Sequence, residues 1–219
     1  MSVATENFVK AIYQFSKHSE YDTKPSSVAK KLGITSAAAT DMSKKLALKG
    51  LLDYKKYQEL KLTAEGELMA LRIVRKHRIW ESLLFKILDL SLHEIHQEAE
   101  LLEHETSDFL AEKIHEYLGF PDFDPHGDPI PDINGKFPDL KDSVALSKAV
   151  VNKNYRISRL QSDNKEFFDF CAEHKLTNGE LITVEKQFEK TQMTQVKVNG
   201  VTLLLNYNFT SLIQISNVS

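Results

Sequence analysis

Cysteine is almost missing from this chain. Cys171 stands alone in 219 residues, so no intramolecular disulfide can form, and a reducing cytoplasm is the compartment this usage implies. It sits in Phe167-Phe168-Asp169-Phe170-Cys171-Ala172, where a buried structural thiol is the expectation rather than a reactive one. No apolar run is long enough to span a bilayer, and no basic and apolar leader opens the sequence, so a membrane partner is not expected. Proline is scarce: five of the six fall between Pro121 and Pro138, which reads with its Gly and Asp residues as a connecting loop and linker.

A basic excess is also missing, since the formal net charge is −3. Its distribution is nevertheless uneven. Lys24 to Lys61 carries a net +6, whereas Asp89 to Glu116 carries a net −8 and several histidines. The pattern suggests one surface for phosphates and another for cations.

Thr5 to Lys17 places Phe8, Ile12 and Phe15 at helical spacing. Pro25 opens and Gly33 stops a second short helix, and Thr35 caps a third, Ser36 to Lys49, with Ala39, Met42, Leu46 and Leu48 as its apolar positions. Leu52 to Leu62 then reads as a two-stranded wing with a lysine-bearing tip. Helix, glycine turn, helix and wing form the winged helix-turn-helix pattern. In that arrangement Thr35, Ser36, Ala37, Ala38, Thr40 and Asp41 face base edges of double-stranded DNA, while Lys44, Lys45, Lys55 and Lys56 meet phosphates.

A long helix is predicted from Ala64 to about Lys86, followed by a shorter one from about His93 to Leu118. The apolar side of the second (Ile95, Ala99, Leu102, Phe109, Leu110, Ile114, Leu118) exceeds what one neighbour covers, which points to a homodimer on a palindromic operator. His77 and Glu81 are four apart on one face. His96, Glu100, Glu103 and His104 fall on one stripe at i, i+4, i+7 and i+8. Like charges at such spacing repel unless a cation neutralises them. Carboxylates and imidazoles without thiolates favour Mn²⁺ first and Fe²⁺ second; Zn²⁺, Co²⁺ or Cd²⁺ can occupy the same donors in vitro. His93 and His115, standing singly, read as ordinary surface or capping residues.

From Leu140 the pattern changes to short β-rich runs at Tyr155–Ile157, Leu181–Val184, Val196–Val198, Val201–Leu205 and Ser211–Ile215, with Asn199-Gly200 as a tight hairpin and a short helix over Glu166–Leu176. A small SH3-like β-barrel follows from the strand count.

Lys76-His77-Arg78-x2-Glu81, His96-x-Glu98-Ala99-Glu100-x2-Glu103-His104-x2-Ser107-Asp108 and Pro125-His126-Gly127-Asp128-Pro129-Ile130-Pro131 together resemble the diphtheria toxin repressor and manganese transport regulator family. The resemblance covers the whole chain in order. It implies a cytoplasmic, homodimeric, metal-activated repressor of metal-uptake genes. A primary metal site would use Asn7, Glu100, Glu103 and His104, and an ancillary site His77, Glu81 and His96. Iron-responsive members have a cysteine at the position of Glu100 and a methionine at that of Asn7, so the oxygen donors here lean to manganese. The short manganese regulators have an acid at the position of Lys10. Asp124 and His126 stand where some streptococcal members add Cys-Pro-His, and Asp163 would offer a donor from the C-terminal domain.

The expected architecture is mainly α: a winged helix-turn-helix over 1–63, a helical dimerisation and metal-binding domain over 64–138, and a small SH3-like (FeoA-type) β domain over 139–219. The function expected is a metal-activated DNA-binding repressor and not an enzyme. Two rivals stay open at this point: a di-metal helical enzyme, and a winged-helix regulator answering a small organic ligand. The first would need paired Glu-x2-His helices, which the chain does not show.

Overall fold

Thr35 stands in extended backbone, and its side chain accepts from the Ala38 amide at 3.1 Å, which starts the third helix where the sequence places a cap. The structure, a computed structural model, describes residues 2–17, 21–140, 142–162 and 164–218. Helices α1 (Val3–Ser16), α2 (Pro25–Leu32) and α3 (Ser36–Leu48) come first. Gly33, at φ 64, closes α2 in the left-handed conformation a C-terminal stop requires. Strands β1 (Leu52–Asp53) and β2 (Lys61–Leu62) pair antiparallel and form the expected wing. Thr63 caps the 25-residue α4 (Ala64–Leu88): its hydroxyl donates to the Gly50 carbonyl and accepts from the Gly66 amide. Gly66 lies so close to wing residue Leu51 that a Cβ would sit 2.0 Å from that carbonyl oxygen.

The structure corrects the expected single helix from His93 to Leu118. Two helices occupy it, α5 (Leu92–Glu105) and α6 (Asp108–Tyr117). Ser107 is extended, and its side chain accepts from the Leu110 amide, so a new helix starts there. A second correction concerns Leu48, which is 89 % exposed. The inward stripe of α3 is Ala39, Ser43 and Leu46; Leu48 lies half a rotation from Ala39. Ser43 is buried because its hydroxyl is satisfied by the Ala39 carbonyl at 2.7 Å.

The C-terminal part forms one antiparallel sheet in the order β3-β8-β4-β5-β6-β7. Its strands are β3 (Ser143–Ala145), β4 (Lys153–Leu160), β5 (Leu181–Phe188), β6 (Met193–Val198), β7 (Val201–Asn206) and β8 (Ile213–Asn217). Asn199 and Gly200, at φ 50 and 82, make the β6–β7 hairpin, with Val198 opposite Val201. Helix α7 (Lys165–Glu173) lies in the predicted place. Ser211 and Leu212 are helical instead of β, because the Asn206 side chain caps α8 (Tyr207–Leu212) and delays β8 to Ile213. Strand β3 is an addition to the runs read from sequence.

The chain folds as two compact units. One comprises Met1–His77, Leu102–Thr106 and Pro131–Lys136; the other comprises Arg78–Leu101, Ser107–Ile130 and Phe137–Ser219. Phe8, Ile12, Leu46 and Leu60 are fully buried in the first. In the second, Ile79, Ala111, Ile114 and Ile130 form a helical core, while Ile157, Leu160, Ile182 and Ile213 fill the interior of the sheet part. Each such aliphatic side chain contributes about 1.5–3 kcal/mol by leaving water.

Candidate metal centre and DNA-reading surface

In the first unit the Glu103 carboxylate, 1 % exposed, is the hub of a histidine–carboxylate cluster. Lys10 on α1, itself 5 % exposed, donates to both of its oxygens at 2.8 Å. His77 Nδ1 lies 2.7 Å from Oε2 and donates to it. His104 Nε2 lies 3.4 Å from Oε1, and its Nδ1 donates to Glu6 Oε2 at 2.7 Å. Asn7 Oδ1 and His104 Nε2 are buried without a hydrogen-bond partner. Leaving such a group unsatisfied costs about 1–3 kcal/mol, so an orphaned imidazole nitrogen 3.4 Å from a buried carboxylate marks a place suited to a cation. The amide oxygen, carboxylate and imidazole donors fit Mn²⁺ or Fe²⁺, and no soft thiolate is among them. Glu100, half-buried, stands one turn before Glu103 on α5.

In the second unit a cluster surrounds Glu81, which is 2 % exposed. His96 Nδ1 donates to Glu81 Oε1 at 3.0 Å, and His126 Nε2 lies 3.4 Å from the same oxygen. Both ring nitrogens of the buried His126 have no hydrogen-bond partner. Its ring meets His96 edge-on at 6.4 Å and leans on Phe168 of α7 at 4.9 Å. Imidazoles from α5 and the proline-rich loop thus approach one oxygen of Glu81 on α4.

Asp124 shapes the loop that carries His126. Its Oδ1 accepts from the His126 and Asp128 amides, both at 2.9 Å, while Oδ2 has no hydrogen-bond partner. Burial pushes this carboxyl well above the usual carboxylate range, the charges of Asp128 and Glu81 push the same way, and Arg78 opposes them. Arg78 lies 3.7 Å from Asp124 and 3.6 Å from Asp128, and Arg159 of β4 pairs with Asp128. The loop docks on β4: the Leu160 amide donates to the His126 carbonyl at 2.8 Å, and a Cβ on Gly127 would lie 2.1 Å from the Ser158 carbonyl oxygen. Gly127 also has φ 89, so only glycine suits the position.

Of the sequence-predicted donors, the structure brings His77 and His104 together at Glu103, and joins His96 and His126 at Glu81; Asn7 stands on α1 about one turn before Lys10, which bonds Glu103. Asp163 lies outside the described residues. Sequence reasoning misses Glu6, the partner of His104, and the Arg78–Asp128–Arg159 network. Glu6 precedes the apolar positions Phe8, Val9 and Ile12 of α1, and nothing in its spacing singles it out. Arg78 and Asp128 stand inside the quoted motifs, which give them no role by themselves.

The DNA-reading candidates lie on one unit. Thr35, Ser36, Ala37, Ala38, Asp41, Lys44, Lys45, Lys55 and Lys56 are exposed, and Thr40 is half-buried with its hydroxyl donating to the Ser36 carbonyl. Asp41 pairs with Lys45 one turn on at 2.8 Å, and this lysine holds the Asp41 carboxyl below its ordinary value. Lys56 lies over the exposed Tyr57 ring at 4.7 Å on the wing.

Comparison with known proteins agrees with this geometry. Residues 1–60 match the model described as iron dependent repressor, N-terminal DNA binding domain, and residues 63–132 match iron dependent repressor, metal binding and dimerisation domain. The diphtheria toxin repressor of Corynebacterium efficiens is 29 % identical over 127 residues, which are 58 % of this chain and 55 % of that protein. The chain thus spans about half the length of the diphtheria toxin repressors it matches. A helix-turn-helix-type transcriptional regulator of Methanocaldococcus jannaschii is 34 % identical over 114 residues, covering 52 % of this chain and 91 % of the relative. A solved manganese-dependent transcriptional repressor in complex with manganese superposes with a TM-score of 0.86 at 28 % identity, over 98 % of this chain and 100 % of that one.

Proposed function

The chain belongs to the diphtheria toxin repressor and manganese transport regulator family of metal-dependent repressors, and from that premise we propose that it represses metal-uptake genes when Mn²⁺ binds, with Fe²⁺ the second choice. Family members are DNA-binding repressors and not enzymes, which removes the di-metal enzyme as a reading. The observation that carries the proposal is a set of buried atoms without hydrogen-bond partners: Asn7 Oδ1, His104 Nε2 at 3.4 Å from the buried Glu103, and the His126 nitrogens, of which Nε2 lies 3.4 Å from the buried Glu81.

In this reading Asn7, Glu100, Glu103 and His104 hold the primary ion. His77, Glu81 and His96 hold the ancillary one, with Asp124, His126 and Asp163 as further donors. A bound ion would supply positive charge to these donors. Asn7 and Glu6 on α1, with Glu103 and His104 on α5, orient the N-terminal helix and so bias the reader toward one conformation. A coupling of about 1–3 kcal/mol suffices for regulation. The division into 1–63, 64–138 and 139–219 assigns reading, dimerisation with metal binding, and the β domain to successive segments. Leu101, Phe109, Leu110 and Tyr117 on α5 and α6 are exposed apolar residues that support a homodimer on a palindromic operator. No helix among the described residues is long and apolar enough to cross a membrane, and the proposed location is the cytoplasm.

The test selects a DNA site from a random pool with Mn²⁺-loaded protein. Affinity for that site is then titrated with Mn²⁺, Fe²⁺ and Zn²⁺ after chelator treatment. Metal-independent binding overturns the reading.

A further inference from the structure

Lys10 is three residues after Asn7 on α1, so the ammonium and the orphaned amide oxygen share one face of that helix. The ammonium donates to both oxygens of Glu103 at 2.8 Å, and both residues are buried. His77 and His104 approach the same two oxygens from other sides. Resting on the metal-centre reading, we propose that Lys10 is a built-in competitor for the cation, which holds Glu103 in the metal-free protein and raises the metal concentration needed for a response.

The physical reason is charge. A buried carboxylate requires a positive partner, and Lys10 supplies it when no ion is bound. A divalent ion taking Glu103 meets the ammonium already there and either displaces it or is repelled by it. An ammonium on a flexible stem is a compact point charge without the rigid fork of arginine, so it can withdraw. An ion pair with only a structural role would leave its neighbours satisfied, whereas His104 Nε2, 3.4 Å from Glu103 Oε1, and Asn7 Oδ1, about one turn before Lys10 on α1, are not.

The test compares full-length wild type, Lys10→Met, which keeps the apolar stem, and Lys10→Gln. Chelator-treated protein is titrated with Mn²⁺ by calorimetry, and melting is followed with and without Mn²⁺. Removing one charge-assisted hydrogen-bonding partner from the carboxylate should tighten Mn²⁺ binding by about ten- to a hundredfold, while the metal-free melting temperature falls. Unchanged or weaker Mn²⁺ affinity in both variants, with native circular dichroism, overturns the proposal and leaves Lys10 as a structural counter-ion. If Lys10→Met does not fold, Lys10→Gln decides by the same titration. Failure of wild type to bind Mn²⁺, Fe²⁺ or Zn²⁺ would instead sink the metal-centre reading itself.

Discussion

His77 Nδ1 lies 2.7 Å from Glu103 Oε2, a hydrogen bond between α4 and α5 buried at both ends. It fixes the tautomer of the imidazole at this nitrogen, since a carboxylate only accepts and Nδ1 must carry the hydrogen. Its carboxylate partner is therefore both a donor candidate and an orienter.

Glu103 and His104 separate stability from sensing. Glu103→Ala removes the buried carboxylate that Lys10 and His77 both bond and should cost about 3–5 kcal/mol, read as a lower denaturation midpoint. His104→Ala removes a donor and deprives only the part-exposed Glu6 carboxylate of its imidazole partner. It should keep the fold at a smaller cost than Glu103→Ala and lose metal-stimulated DNA binding, measured by anisotropy; an unaltered metal response in a folded His104→Ala protein would show that His104 is not a ligand.

Glu100→Cys exchanges a hard oxygen for a soft sulfur. Its metal ranking in competition titrations should move from Mn²⁺ toward Fe²⁺, Co²⁺ or Zn²⁺. The same ranking as wild type removes Glu100 from the ligand set.

The reader makes a different prediction for wing and helix. Lys55→Ala or Lys56→Ala should weaken all DNA sequences alike and lower the slope of log affinity against log salt by roughly one unit. Asp41→Ala should change sequence preference more than that slope. Equal weakening on every sequence variant would show that α3 is not docked through its N-terminal part.

Gly127→Ala forces a methyl group against the Ser158 carbonyl at a positive φ. The melting temperature should fall, and binding of a second metal equivalent should weaken because the His126 loop is shifted. A variant as stable as wild type would mean the loop moves freely away from β4.

Cys171 is fully buried, and burial pushes its thiol up to about 12. Thiolate forms only as pH rises through that value, so near neutral pH the native protein should not react with a thiol reagent, whereas the unfolded chain should. Rapid native labelling would contradict the packing around α7.

Much of this is legible in sequence where local rules act alone. Thr35, Gly33 and Asn199-Gly200 each set a cap, stop or hairpin through their own backbone preferences. The break at Ser107 is hidden because the apolar positions continue in helical period across it, while the cap depends on a hydroxyl finding the Leu110 amide. Leu48 misleads for the opposite reason, since an apolar residue near a helix end need not face inward. At the site, spacing groups the donors of single helices. Contacts made by folding, such as His126 reaching Glu81 and Glu6 reaching His104, have no sequence period to betray them.

The docking of the His126 loop on β4 has a consequence for the order of assembly. Lys10, His77, Glu103 and His104 all lie in the first 104 residues, but His126 is held by Leu160 and Phe168, far later in the chain. Synthesis delivers the chain from its N-terminus at roughly 5–20 residues per second, and long-range pairing waits for the strand that completes it. The Glu103 cluster is therefore complete in composition while the support for His126 is still being made, so the two clusters arise in sequence during synthesis and not together.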